Sequence, residues 1–249
     1  MGKTVNQHYV PRVYIKRFGY GTENKPKISV LKKREKEILH DQNPYNFASK
    51  RFFYDTTEDV IEVALKKDLE IFPFIKESEY YHDEQLVEHA FSRVEGQYRK
   101  LLDQIEATPS SIYEDECRAV FIHFIHGLAY RTKSFRDSMD YINSETENFL
   151  NEMCDNMGLS KDAKRKVIEE NCIPGINIQL EQVLSVKPVL DTMERLVLNY
   201  DWYIGYNDTK LDFIISDNPA QMVRRGFNDI CIPISKKRAI VMRVKKKEV

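Results

Sequence analysis

Glycine and proline are scarce, nine of each in 249 residues, which disfavours a turn-rich all-β chain and leaves room for long helices. The four cysteines, Cys117, Cys154, Cys172 and Cys231, stand far apart with no C-x-x-C pair. That spacing disfavours a zinc ribbon, a redox dithiol or a disulfide framework. No run approaches the ~18 apolar residues of a membrane span, and no apolar signal-peptide core follows Met1. A cytoplasmic protein with reduced thiols and no membrane partner is therefore expected. A Gly-rich phosphate loop, a G-x-S-x-G elbow, a kinase signature and a dinucleotide fingerprint are all missing. Their absence argues against ATPases, hydrolase-fold esterases and Rossmann oxidoreductases.

The composition is that of a globular chain, 42% hydrophobic and 31% charged. A net charge of −1 hides a strong asymmetry. Residues 1–36 carry ten Lys/Arg against Glu23 and Glu35, and residues 220–249 carry nine against Asp229 and Glu248. The stretch 37–219 is left with 19 basic and 35 acidic residues. Basic ends around an acidic centre suggest a nucleic-acid-facing surface if the ends fold together.

Ile28–Leu31 and Ile38-Leu39 bracket a charged run and read as a hairpin. A helix is expected from Glu58 to Ile71, with Thr56 or Thr57 as its cap. Another spans Asp83 to Glu106, where Val87, Phe91, Val94, Tyr98, Leu101, Leu102 and Ile105 share one face. Ser111-Ile112-Tyr113-Glu114 has the form of a capping box opening a helix that runs to Asp137 or beyond. Between Cys117 and Tyr130 the only charge on that helix is Arg118, so it should be the buried central helix. Further helices are expected over Ser144–Asn156, Ser160–Asn171 and Leu180–Leu198, then strands at Trp202–Tyr206, Phe213–Ser216, Ile230–Ile232 and Ala239–Met242. The expected fold is α+β in one domain, 1–249. A helical middle, 57–199, lies between β-rich ends, 1–56 and 200–249, that share a small sheet.

His8 lies in Gln7-His8-Tyr9-Val10-Pro11, ahead of a helix start, where an imidazole suits a general base or metal ligand. Arg12 and Lys16 would help hold a phosphate there, with Gln7 beside them. Glu95 sits on the shoulder of its helix's apolar stripe and Arg131 near the most apolar face of the next. They form a structural clamp or a site in which Arg131 grips phosphate. His123 and His126 have the H-x-x-H spacing of two metal ligands, or are two hydrogen-bonded core histidines. Asp217, in Ser216-Asp217-Asn218-Pro219, stands at an expected strand end that suits an acid–base carboxylate; the alternative is an Asx turn.

The opening block, with Tyr14, Ile15, Lys16 and Phe18, resembles that of an uncharacterised prokaryotic family, domain-of-unknown-function family 4238. The resemblance continues through Phe53-Tyr54, Glu95, Arg131-Thr132, Trp202, Ser216–Pro219 and Pro233-Ile234-Ser235. Lys133 departs from it, standing where proline is expected. The resemblance implies the architecture and the candidate residues, and no reaction.

Together these residues lead to an expected hydrolase, nuclease-like and nucleic-acid-directed, in a microbial defence or conflict setting. His8, Glu95, Arg131 and Asp217 would be catalytic, with Gln7, Arg12, Lys16 and Asn218 contacting substrate and a divalent metal ion as the candidate cofactor. The alternative is a noncatalytic nucleic-acid- or protein-binding module.

Overall fold

A computed structural model describes residues 3–56, 70–79, 81, 83–221, 223 and 228–246. The expected helix over 58–71 falls mostly outside them. Within the described residues the helices are α1 (Arg12–Ile15), α2 (Pro73–Lys76), α3 (Leu86–Ala107), α4 (Asp115–Tyr130), α5 (Lys133–Asn156), α6 (Lys161–Asn171), α7 (Gly175–Leu184) and α8 (Val186–Asn199). The strands are β1 (Asn6–His8), β2 (Tyr20–Thr22), β3 (Lys25–Lys32), β4 (Glu37–Gln42), β5 (Ser49–Arg51), β6 (Tyr200–Tyr206), β7 (Ile230–Pro233) and β8 (Arg238–Val244).

The fold is α+β around a helical core. All seven stripe residues of α3 are buried, and α4 buries Phe121, Ile122, Phe124, Ile125, Leu128 and Ala129 completely. Each Phe, Ile or Leu among them contributes ~1.5–3 kcal/mol relative to exposure, which makes α4 the axis of the core. One apolar cluster runs from Tyr9 through these helices to Met242.

Among the described residues the two ends do not share a sheet. β1 pairs with β5, β2-β3-β4 form a meander, and the carboxyl-terminal strands pair in the order β6-β8-β7. The ends meet instead through side chains on α1 and the turn after it: the Tyr14 hydroxyl donates to the Pro233 carbonyl at 2.6 Å and Arg17 Nε to Ile234 O at 2.9 Å.

Several boundaries differ from the sequence reading. Ser111–Glu114 is not a capping box, because Pro109–Tyr113 forms a 3-10 turn and Glu114 caps α4 with no side-chain bond. Ser111 instead accepts the Cys117 thiol at 3.7 Å. The long central helix breaks at Arg131, and Thr132 restarts the chain as N-cap of α5, its hydroxyl accepting the Phe135 amide at 3.2 Å. α5 then continues unbroken through Ser144. The expected Leu180–Leu198 helix splits at Ser185, since Pro188 has no N–H to give the previous turn and its ring collides with that turn. Residues 212–216 form no strand.

The break at Arg131 is held from outside. Gln179 Nε2 of α7 donates to the Tyr130 and Thr132 carbonyls at 2.8 and 3.1 Å, and the Tyr54 hydroxyl donates to the Arg131 carbonyl at 2.6 Å. These bonds take up carbonyls that a helix end leaves unpaired. α7 approaches α5 closely enough that a Cβ on Gly175 would lie 2.5 Å from Asp140 Oδ1, so only glycine fits there.

Candidate functional site

Arg131 is almost wholly buried, with 1% exposure. Its Nη2 donates to the His8 carbonyl at 2.5 Å and to Glu95 Oε1 at 3.1 Å, and its guanidinium lies 4.0 Å from the centre of the Phe91 ring. Among the described residues Nε and Nη1 have no aligned hydrogen-bond acceptor; the Tyr54 hydroxyl lies beside the guanidinium but gives its proton to the Arg131 carbonyl. A guanidinium in such surroundings must find anions or acceptors, so two orphaned nitrogens leave it only partly satisfied. Three of the four expected catalytic residues thus converge, but His8 is held through its backbone.

The His8 ring sits edge-on to Tyr45, and among the described residues its buried Nε2 has no hydrogen-bond partner. Burial, then the charges of Arg12 and Arg131, push its pKa down to about 4, which keeps the imidazole neutral at neutral pH and makes it a weak base. Gln7 is fully buried and acts as a brace: Oε1 accepts the Tyr54 amide at 2.6 Å and Nε2 donates to Asp55 at 2.5 Å. Arg12 is exposed, 5.7 Å from the Tyr45 ring centre, and Lys16 is exposed. The expected phosphate site at the start of α1 meets only one helical turn, whose Tyr14 and Ile15 amides are bound to the Pro11 carbonyl.

Asp217 opens on a groove of about 530 Å³ lined by Lys133, Ser134, Asp137, Ser138, Tyr141 and Ile142. None of the other three expected catalytic residues lines it. Asp217 stands in irregular chain, not at a strand end. The turn is closed by Ser216, whose hydroxyl accepts the Asn218 amide at 3.1 Å, so Asp217 is not consumed in an Asx turn. Asn218 anchors the turn, its Nδ2 donating to Ser134 Oγ at 3.2 Å and its Oδ1 accepting from Thr132 Oγ1 at 3.5 Å. Among the described residues Asp217 is left exposed with no hydrogen bond or ion pair. Tyr9 joins groove and cluster: burial first, then the charges of Asp217 and Asp137, raises its hydroxyl pKa.

Sequence reasoning missed Asp137 and Lys133, an ion pair one turn apart on α5 at the groove. A signal was present, since Lys133 follows the Arg-Thr pair directly and Asp137 lies four residues on. It also missed Glu88 on α3, a half-buried carboxylate whose pKa burial pushes up to about 7.

His123 and His126 are separately satisfied. His123 Nδ1 meets the Tyr98 hydroxyl at 2.8 Å, while His126 meets Thr192 Oγ1 and the Gln182 carbonyl, both at 2.9 Å. Burial pushes both down to about 4. Among the described residues no group of three or more His, Cys, Asp or Glu is placed to hold a metal ion.

Part of the basic excess of the ends is spent within the molecule. Arg17 Nη2 donates to the Leu102 carbonyl at 3.1 Å, and Arg238 Nη1 to the Ile105 and Glu106 carbonyls at 3.2 and 2.5 Å. Two arginines thus cap the carboxyl end of α3, where its dipole favours positive charge.

Residues 6–249 match the model of a family described as protein of unknown function, DUF4238. The chain belongs to this family. No curated protein and no solved structure matches it. The DUF4238 match takes in both the Gln7–Pro11 block and the Ser216–Pro219 turn, and the fold brings these distant blocks to the same junction, Arg131-Thr132, one by each residue. No helix among the described residues is long and apolar enough to cross a membrane.

Proposed function

We propose that this DUF4238 protein hydrolyses phosphodiester bonds of nucleic acid in the groove beneath the Ser216–Pro219 turn. The observation that carries the reading is Asp217: an exposed carboxylate with no hydrogen bond or ion pair among the described residues, fixed on a turn that Ser216 and Asn218 hold in place. A positioned carboxylate takes a proton from an attacking water. Lys133 supplies positive charge for the phosphate, and Tyr141, 66% exposed, offers a flat ring for a base to stack on. Asp137 and Asp217 could share a divalent ion whose remaining ligands are water and substrate phosphate, the usual pattern for magnesium. In this reading His8, Glu95 and Arg131 are positioning residues that hold Tyr9 and the α4–α5 junction.

The test is incubation of the full chain with RNA, single-stranded DNA and duplex DNA, with and without magnesium or manganese. Cleavage of at least one substrate, lost in Asp217→Ala, is the expected result.

A noncatalytic binding module is the second reading. It is favoured by the completeness with which Gln7 and Gln179 are used up by backbone and neighbouring side chains. No turnover on any substrate, with nucleic-acid affinity falling steeply as salt rises, would select it.

A further inference from the structure

The face of α3 beneath Arg131 carries two carboxylates. Glu88 and Glu95 are seven residues apart, two turns of helix, so they point the same way, and Phe91 lies between them under the guanidinium. Glu95 takes Nη2 of Arg131. Glu88 has no hydrogen bond or ion pair among the described residues, and Arg131 has two nitrogens without acceptors. A half-buried carboxyl group and a buried cation, both unfinished, thus face one helix surface.

We propose that Glu88 is a proton-controlled positioning residue that sets, through Arg131, how firmly the His8 carbonyl and the adjoining Tyr9 are held. With Glu88 protonated, the guanidinium rests on Glu95 and the His8 carbonyl, as observed. When Glu88 ionises, it draws the unpaired nitrogens of Arg131 towards itself. The guanidinium then bridges two carboxylates and loosens its bond to His8.

The charged and titratable groups around the pair, among the described residues, are few. Glu88 feels Arg131 from the end of α4, Glu95 from α3 and Asp55 from the chain after β5. Arg131 also faces Tyr54 and Tyr98, both too high in pKa to ionise near neutrality. Asp55 is occupied by Gln7 and Gln85, and Glu95 by Arg131. His8 titrates far below neutrality. Burial lifts Glu88 to about 7, with Glu95 and Asp55 adding to the rise and Arg131 opposing it. Glu88 is therefore the member of the group that exchanges its proton at physiological pH.

NMR titration of the full chain from pH 5 to 9 tests this, following the Glu88 carboxyl carbon, the Arg131 Nε–H and the Tyr9 amide. The expected result is one shared midpoint near 7 for all three, abolished at Arg131 and Tyr9 in Glu88→Gln and restored at a shifted midpoint in Glu88→Asp. A Glu88 carboxyl titrating in the ordinary range would overturn the proposal. So would Arg131 and Tyr9 signals that titrate alike in wild type and Glu88→Gln. Wild-type co-titration decides the matter even if the variants fold poorly. No substrate is involved, so the outcome is independent of the hydrolase reading.

Discussion

α4 and α6 are opposites. α4 buries nine of its sixteen residues, and the carbonyls of Tyr130 and Arg131 at its end are each tied to a particular partner. α6 buries none, and four of its charges meet in pairs four residues apart, Arg165 with Glu169 at 2.7 Å and Lys166 with Glu170 at 3.9 Å. On α6 a polar group is cheap, because water replaces any partner it loses. Around α4 an unfinished polar group is costly, so the orphaned nitrogens of Arg131 carry information that a solvated lysine on α6 does not. Asp217 falls between: it is exposed, yet its turn is anchored on buried Thr132.

The sharpest way to break the contrast is Arg131→Met. Removing one partner of a buried pair leaves Glu95 and the His8 carbonyl uncompensated, at ~3–5 kcal/mol. Urea unfolding should show that loss, and a loss under ~1 kcal/mol would place Arg131 among the interchangeable charges. Next come His123 and His126, whose folded pKa values of about 4 lie below the ordinary 6.5. Between those values the unfolded chain binds more protons than the folded one, so stability rises with pH from about 4 to 6.5 and levels off above. The histidines contribute on the order of 3 kcal/mol each, read from melting temperature against pH. Glu88 acts in the opposite sense. Its folded pKa lies above its unfolded one, so its contribution is present at low pH and is lost as pH rises from about 4.5 to 7. Glu88→Gln should therefore melt higher than wild type at pH 8, with the gap closing towards pH 4.5. Least of all, Arg165→Ala on α6 should leave the urea unfolding midpoint unchanged.

Much of the fold was legible because its signals are local. The α3 stripe, the all-round apolar α4 and the strands β6, β7 and β8 follow from periodicity alone. The breaks were harder. Pro188 marked the end of α7 in plain sight, but Arg131-Thr132 is a break made by tertiary partners, Tyr54, 77 residues from Arg131, and Gln179, 49 residues from Tyr130. The Glu95–Arg131 pair was legible because a buried arginine requires an acceptor and the preceding helix offered one. Glu88 was not, because its partial burial depends on packing from several elements. Asp217 was singled out for a strand end that does not exist; its isolation comes from Ser216 and Asn218 closing the turn without it.

The proposed division of labour has Asp217 doing chemistry while Arg131 holds structure. The direct measurement sets cleavage rate beside unfolding midpoint for Asp217→Asn. Turnover falling ~100-fold or more at an unchanged midpoint is predicted; turnover kept intact, or a midpoint lost as in Arg131→Met, contradicts it.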